Sequence, residues 1–158
     1  MIGSYPTVGC LILIDKLCFT GVKDVLQAMQ ALIPSSHDAT TPVSRGEAAL
    51  GGNMHPMLLI VQEVDTMTAV HIEFGEDEVE GVRKATRLSE EQLFMPYVQA
   101  AKTIPGVIAV GIGFELSPPT DLQEKTLQEA GVAVLFERDA EDKSWSRQQT
   151  MPMVGHYG

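Results

Sequence analysis

The chain has 158 residues, 44% of them hydrophobic, and its 21 acidic residues against 11 basic ones give a formal net charge of −10. At this length one domain buries roughly two-thirds of the surface that its unfolded chain exposes, so a single compact α+β domain over residues 1–158 is expected. The charge balance excludes a cationic footprint for phosphates, and no apolar stretch approaches the ~18 residues of a membrane helix, so neither nucleic acid nor membrane is expected as a partner.

No basic region precedes the first apolar run and no small-residue cleavage site follows it before Asp15 and Lys16, so the segment reads as a strand and not as a secretion signal. Val8 to Ile14 is the apolar, β-branched run of a strand buried on both faces. Cys10 and Cys18 lie in and beside it; one pair is too few for a disulfide framework, and both thiols are expected reduced in a cytoplasmic protein. Thr20 then caps a helix in which Val22, Val25, Leu26, Met29, Leu32 and Ile33 share a face, ended by Pro34. From Pro34 to Pro56 the chain reads as one long loop, with a capping box at Ser44 and Glu47 that predicts a short helix closed by Gly51.

Met57–Val64 and Met67–Phe74 read as a hairpin about Asp65 and Thr66. In its second strand Val70, Ile72 and Phe74 form a buried face, while Ala69, His71 and Glu73 form a partly wet one. Ser89 and Gln92 make a capping box for a helix through Ile104, with Pro96 predicting a kink or a start at Met95. Val107–Leu116 is a second buried strand whose Gly111 and Gly113 share a face and admit a close neighbour. Thr120 and Gln123 cap a third helix that Gly131 terminates, Val132–Phe136 is the last strand, and an irregular tail begins at about residue 139. The order β-α-β-β-α-β-α-β contains the split β-α-β-β-α-β core of ferredoxin-like folds plus an extra α-β unit. That predicts a single antiparallel or mixed sheet with helices on one face.

Five carboxylates, Glu73, Glu76, Asp77, Glu78 and Glu80, fall within eight residues. Glu76, Glu78 and Glu80 with Gly81 mimic the first half of a calcium loop, but Arg87 occupies the position that requires a bidentate Glu, so no metal is expected there. The run therefore reads as a solvated acidic turn or as a docking surface for a basic partner. His37, His55 and His71 lie near carboxylates, yet the known zinc spacings are absent. No G-x-S-x-G is present, neither cysteine has an activating neighbour, and Gly111-x-Gly113 lacks the third glycine of a dinucleotide loop, so no cofactor is expected. Met54, Met57, Met151 and Met153 add adaptable apolar surface of the kind used at partner-binding faces.

By class, the expectation is an acidic cytoplasmic binding protein that neutralises a basic protein partner, most concretely an immunity-type inhibitor of a bacterial toxin. Glu73, Glu76, Asp77, Glu78 and Glu80 supply its charged contacts and the 34–56 loop an anchor. The alternative is an enzyme whose acid–base site combines that loop with the 57–74 hairpin through His55, His71 and Glu73. A third is an assembly subunit or secretion chaperone.

Overall fold

The structure, a computed structural model, describes residues 6–19, 21–34 and 43–153. Its elements are β1 (Thr7–Asp15), α1 (Val22–Ala28), β2 (Val43–Leu50), β3 (Asn53–Val64), β4 (Met67–Gly75), α2 (Glu76–Thr86), α3 (Glu90–Ala101), β5 (Val107–Phe114), α4 (Glu124–Glu129), β6 (Val132–Arg138) and β7 (Trp145–Gln149). The strands form one open antiparallel sheet in the order β2-β3-β4-β1-β5-β6-β7. The expected α+β class is observed, with a sheet larger than a four-stranded split core.

β1 lies at the centre, hydrogen-bonded to β4 on one side and β5 on the other. Its alternating side chains feed two different cores because successive residues of a strand point to opposite faces. Cys10, Ile12 and Ile14 join the larger core with α1, α2 and α3, in which Phe74, Phe94 and Tyr97 pack ring against ring at 5.8–6.2 Å. Leu11 and Leu13 join a smaller one on the opposite face with Leu127 and Ala130 at the α4 end. The expectation of helices on one face is thus corrected: α4 covers part of the other face, where Leu127 and Ala130 share a core with residues of β1, β4, β5 and β6. The second corner of that face, on β2 and β3, leaves Val43 53% exposed and Leu58 and Ile60 half-buried.

Two glycines bring β5 and β6 together. A Cβ on Gly113 would stand 1.8 Å from the Gly131 carbonyl oxygen, and Gly131 itself has φ of 85° as it turns the chain from α4 into β6. Of the two glycines on one face of β5, Gly113 therefore admits a neighbouring backbone, while a Cβ on Gly111 would meet the Val132 side chain at 3.0 Å.

Four segments depart from the sequence reading. Residues 43–50 are a strand, not a loop with a helical turn: Ala48 and Leu50 are buried at alternate positions, and Gly51 and Gly52, with φ of 62° and 92°, supply the two positive-φ residues of a tight hairpin turn into β3. The acidic run is not a turn but the start of α2. Its Glu76, Asp77 and Glu78 oppose the positive helix end, Arg83 and Lys84 occupy the negative one, and Val79 and Val82 are buried. The tail holds β7, tied to α3 by a bidentate Arg147–Glu91 contact of 2.8 and 2.6 Å that holds the Glu91 carboxyl below its usual pKa. That contribution is present above the ordinary carboxylate pKa and is lost as pH falls through the lowered one. Finally, α4 is capped by Gln123 and not Thr120.

Elsewhere the local signals hold. Ser89 Oγ accepts from Gln92 N at 3.1 Å while Gln92 Oε1 accepts from Ser89 N at 2.8 Å, a complete capping box, and Pro96 lies inside the helix that follows. The helix predicted over 22–33 and ended by Pro34 is shorter than expected: it runs only from Val22 to Ala28, with Gly21 as its N-cap, and residues 29–32 continue as turns. The predicted cap Thr20 and the loop residues 35–42, His37 among them, lie outside the described residues. Cys10 is buried in mid-strand and Cys18 exposed beyond its end, and both are free. The five residue steps of extended strand from Cys10 to Asp15 span ~16 Å, and Cys18 N is held 2.9 Å from the Asp15 carbonyl at the far end, so the two cysteines stand beyond the ~7 Å limit for a disulfide.

The glycine geometry sets two substitutions of opposite sign. Gly113→Ala drives a methyl into backbone and is expected to cost ~3 kcal/mol. Gly81→Ala, in an exposed part of α2 where a Cβ meets nothing within 4 Å, is expected to gain ~0.5–1 kcal/mol. Urea unfolding midpoints of the two variants check both signs.

Candidate functional site

The three residues expected to build an acid–base site do not meet. His55 lies on the helix-covered face, where its Nδ1 is 2.7 Å from Glu78 Oε2 of α2. His71 and Glu73 lie on the opposite face of β4, in register with Leu11 and Gly9 of β1.

The predicted wet face of β4 is dry. His71 is 1% exposed and Glu73 6%. Glu73 accepts a hydrogen bond from Thr7 Oγ1 at 2.6 Å. Its other oxygen stands 3.3 Å from His71 Nδ1, but the ring N–H is not aimed at it, and neither ring nitrogen has a hydrogen-bond partner. The contact is electrostatic proximity and not a directed bond. His71 sits between its cross-strand neighbours Leu11 and Ile60 as a packed ring, and a substrate has no surface from which to reach it. Glu73 is likewise withdrawn from any docking surface.

The other four carboxylates share α2. Asp77 and Glu78 are exposed, Glu76 and Glu80 half-buried, and Glu80 pairs with Lys84 one turn on at 3.1 Å. Across from α2 stands the tip of the β2–β3 hairpin. Pairing of β3 with β4 begins at Leu58, so Asn53–Met57 pair only with β2, and the missing N–H of Pro56 deprives no second neighbour. The tip curls onto the helices: a Cβ on Gly51 would lie 2.4 Å from Val82 Cγ1, and the buried Tyr97 hydroxyl donates to the Ala49 carbonyl at 2.5 Å. Burial pushes the Tyr97 pKa up, keeping that hydroxyl a donor.

Between tip and helix lies a cleft of about 290 Å3, with Asn53 and His55 on one wall and Asp77, Glu78 and Gly81 on the other. Two exposed carboxylates on the first turn of α2 face a polar hairpin wall, an arrangement suited to a guanidinium or ammonium group. Among the described residues no group of three or more His, Cys, Asp and Glu is gathered to hold a metal ion. Sequence reasoning found the carboxylates but missed their helix and the facing wall. The signals were present as acids before bases across Glu76–Lys84 and as the Gly51-Gly52 pair.

Thr7→Val leaves the buried Glu73 carboxylate without its donor and is expected to cost ~1–3 kcal/mol. Thr7→Val combined with Glu73→Met removes both polar partners and is expected to recover most of that loss. Denaturant titrations of the single and double variants decide it, and a double variant no more stable than Thr7→Val would contradict the account.

The chain matches no protein-family model, no curated protein and no solved structure, so its function is read from its own geometry.

Proposed function

We propose that this chain is a binding protein that neutralises a basic protein partner, in the manner of an immunity-type inhibitor of a toxin. The observation that carries the reading is the acidic cleft between α2 and the hairpin tip, where Asp77 and Glu78 stand exposed. A net charge of −10 steers a cationic partner toward the molecule, and the cleft offers a place for one of its basic side chains. Helix α2 supports the role because its rigid first turn fixes both carboxylates, so less entropy is lost on docking than from a mobile acidic loop. Glu76 and Glu80 flank the cleft, whereas Glu73 belongs to the sheet interior.

The setting fits a cytoplasmic protein with two reduced thiols, and no helix among the described residues is long and apolar enough to cross a membrane. We read the four central strands, in the order β5-β1-β4-β3, as a split β-α-β-β-α-β unit. β2 widens it on one edge, and β6 and β7 on the other.

A fluorescent nona-arginine peptide tests the cleft directly. Asp77→Asn with Glu78→Gln is expected to weaken its binding at low salt by about tenfold. The same charge change at the exposed Glu124 and Glu129 of α4 is expected to weaken it by less than about threefold. Equal losses from the two pairs would mean that only net charge acts, and the cleft reading would fall. Thermal melts of both variants run alongside, since neutralising acids in a helical first turn costs ~0.3–1 kcal/mol each.

A further inference from the structure

A second cavity, of about 500 Å3, opens where β1 leaves the sheet, between α1 and the turn that follows α3. It shares no lining residue with the acidic cleft. Its volume falls within the ~300–1,000 Å3 of small-molecule sites. The walls are mainly apolar, with Phe19, Val25, Ala28 and Ile104 prominent, and the space is left by short side chains at Gly21 and Ala28 of the α1 segment. Polar groups are few: the thiol of Cys18, the amide of Gln27 and the hydroxyl of Thr103. Thr103 Oγ1 donates to the Ala100 carbonyl at 2.7 Å, which leaves its lone pairs available as acceptors. Among the described residues the single charged group on the lining is Asp24, an anion.

The loop beside the cavity is held in place while displaying apolar surface. Cys18 N and Phe19 N donate to the Asp15 carbonyl at 2.9 and 3.1 Å, and Leu17 N donates to the Asp15 carboxylate at 2.9 Å. The Leu17 side chain, which precedes the lining residue Cys18, is 95% exposed.

We propose that this cavity binds a small, neutral, predominantly apolar molecule with one hydroxyl or similar hydrogen-bond donor, the apolar part against Phe19, Val25 and Ile104 and the donor toward Thr103. Asp24 disfavours an anionic head group, so an alcohol is accepted where the matching carboxylate is not.

Alkylation of Cys18 by N-ethylmaleimide, read by intact mass, reports occupancy. Cys10 is silent because it is fully buried and burial pushes its thiol up to about 12. The probes are 1-decanol and decanoate, each below its aggregation limit. Decanol is expected to slow Cys18 alkylation by about tenfold at saturation, and decanoate by less than about twofold. Ala28→Phe, which fills the cavity, and Gln27→Trp, which obstructs it from an exposed position, are expected to abolish the decanol effect with the far-UV spectrum retained. Should Ala28→Phe fail to fold, Gln27→Trp decides alone. No slowing by decanol, equal slowing in parent and folded variant, or equal protection by decanoate would each overturn the proposal.

Discussion

Everything in this fold hangs on β1 being hydrogen-bonded on both edges and buried on both faces. Val8 through Ile14 are seven consecutive buried residues, so no position on the strand is free to be polar. Each flanking layer is built outward from it: three helices pack on its even-numbered side chains, and α4 on its odd-numbered ones. Such a strand has one workable register, because a slip of one residue would exchange the two cores wholesale. Gly113 and Gly131 meet where the β5–β6 register shifts beside Gly113 and the chain turns into β6, so the backbones approach too closely there for a Cβ.

Acidity is distributed with more structure than its density suggests. Of the five clustered carboxylates, one is locked inside the sheet by Thr7, one pairs with Lys84, one pairs with His55, and the others open the helix. A solvated run would repel itself. On the first turn of α2 the same charges meet the positive end of the helix dipole, so their mutual repulsion is offset locally.

The sequence was most legible where one physical signal spoke alone. The buried runs of β1 and β5 have no competing pattern, and the Ser89–Gln92 box has both halves in place. It misled where two signals competed. At Ser44–Glu47 a capping-box spacing suggested a helix, while two glycines downstream and a buried position at every second residue favoured a hairpin; the hairpin prevails because it buries Ala48, Leu50 and Met57. At Glu76–Thr86 charge density masked a helix whose buried stripe is only Val79 and Val82. His71 and Glu73 looked half wet because alternation on β4 gives no sign of what will cover the second face. The clefts were not legible at all, being formed by elements distant in the chain.

The hairpin tip has a further consequence in local opening. Asn53–Met57 belong to a two-stranded ribbon with one partner, while α2 opposite is anchored through Val79 and Val82. The two walls of the acidic cleft therefore belong to cooperative units of different free energy, and the ribbon is the one that opens at lower cost. The phenol of Tyr97, reaching from α3 to Ala49, and the His55–Glu78 contact tie the hairpin to the helices. Local opening of the ribbon therefore has to break contacts to two different helices, α3 through Tyr97 and α2 through Glu78.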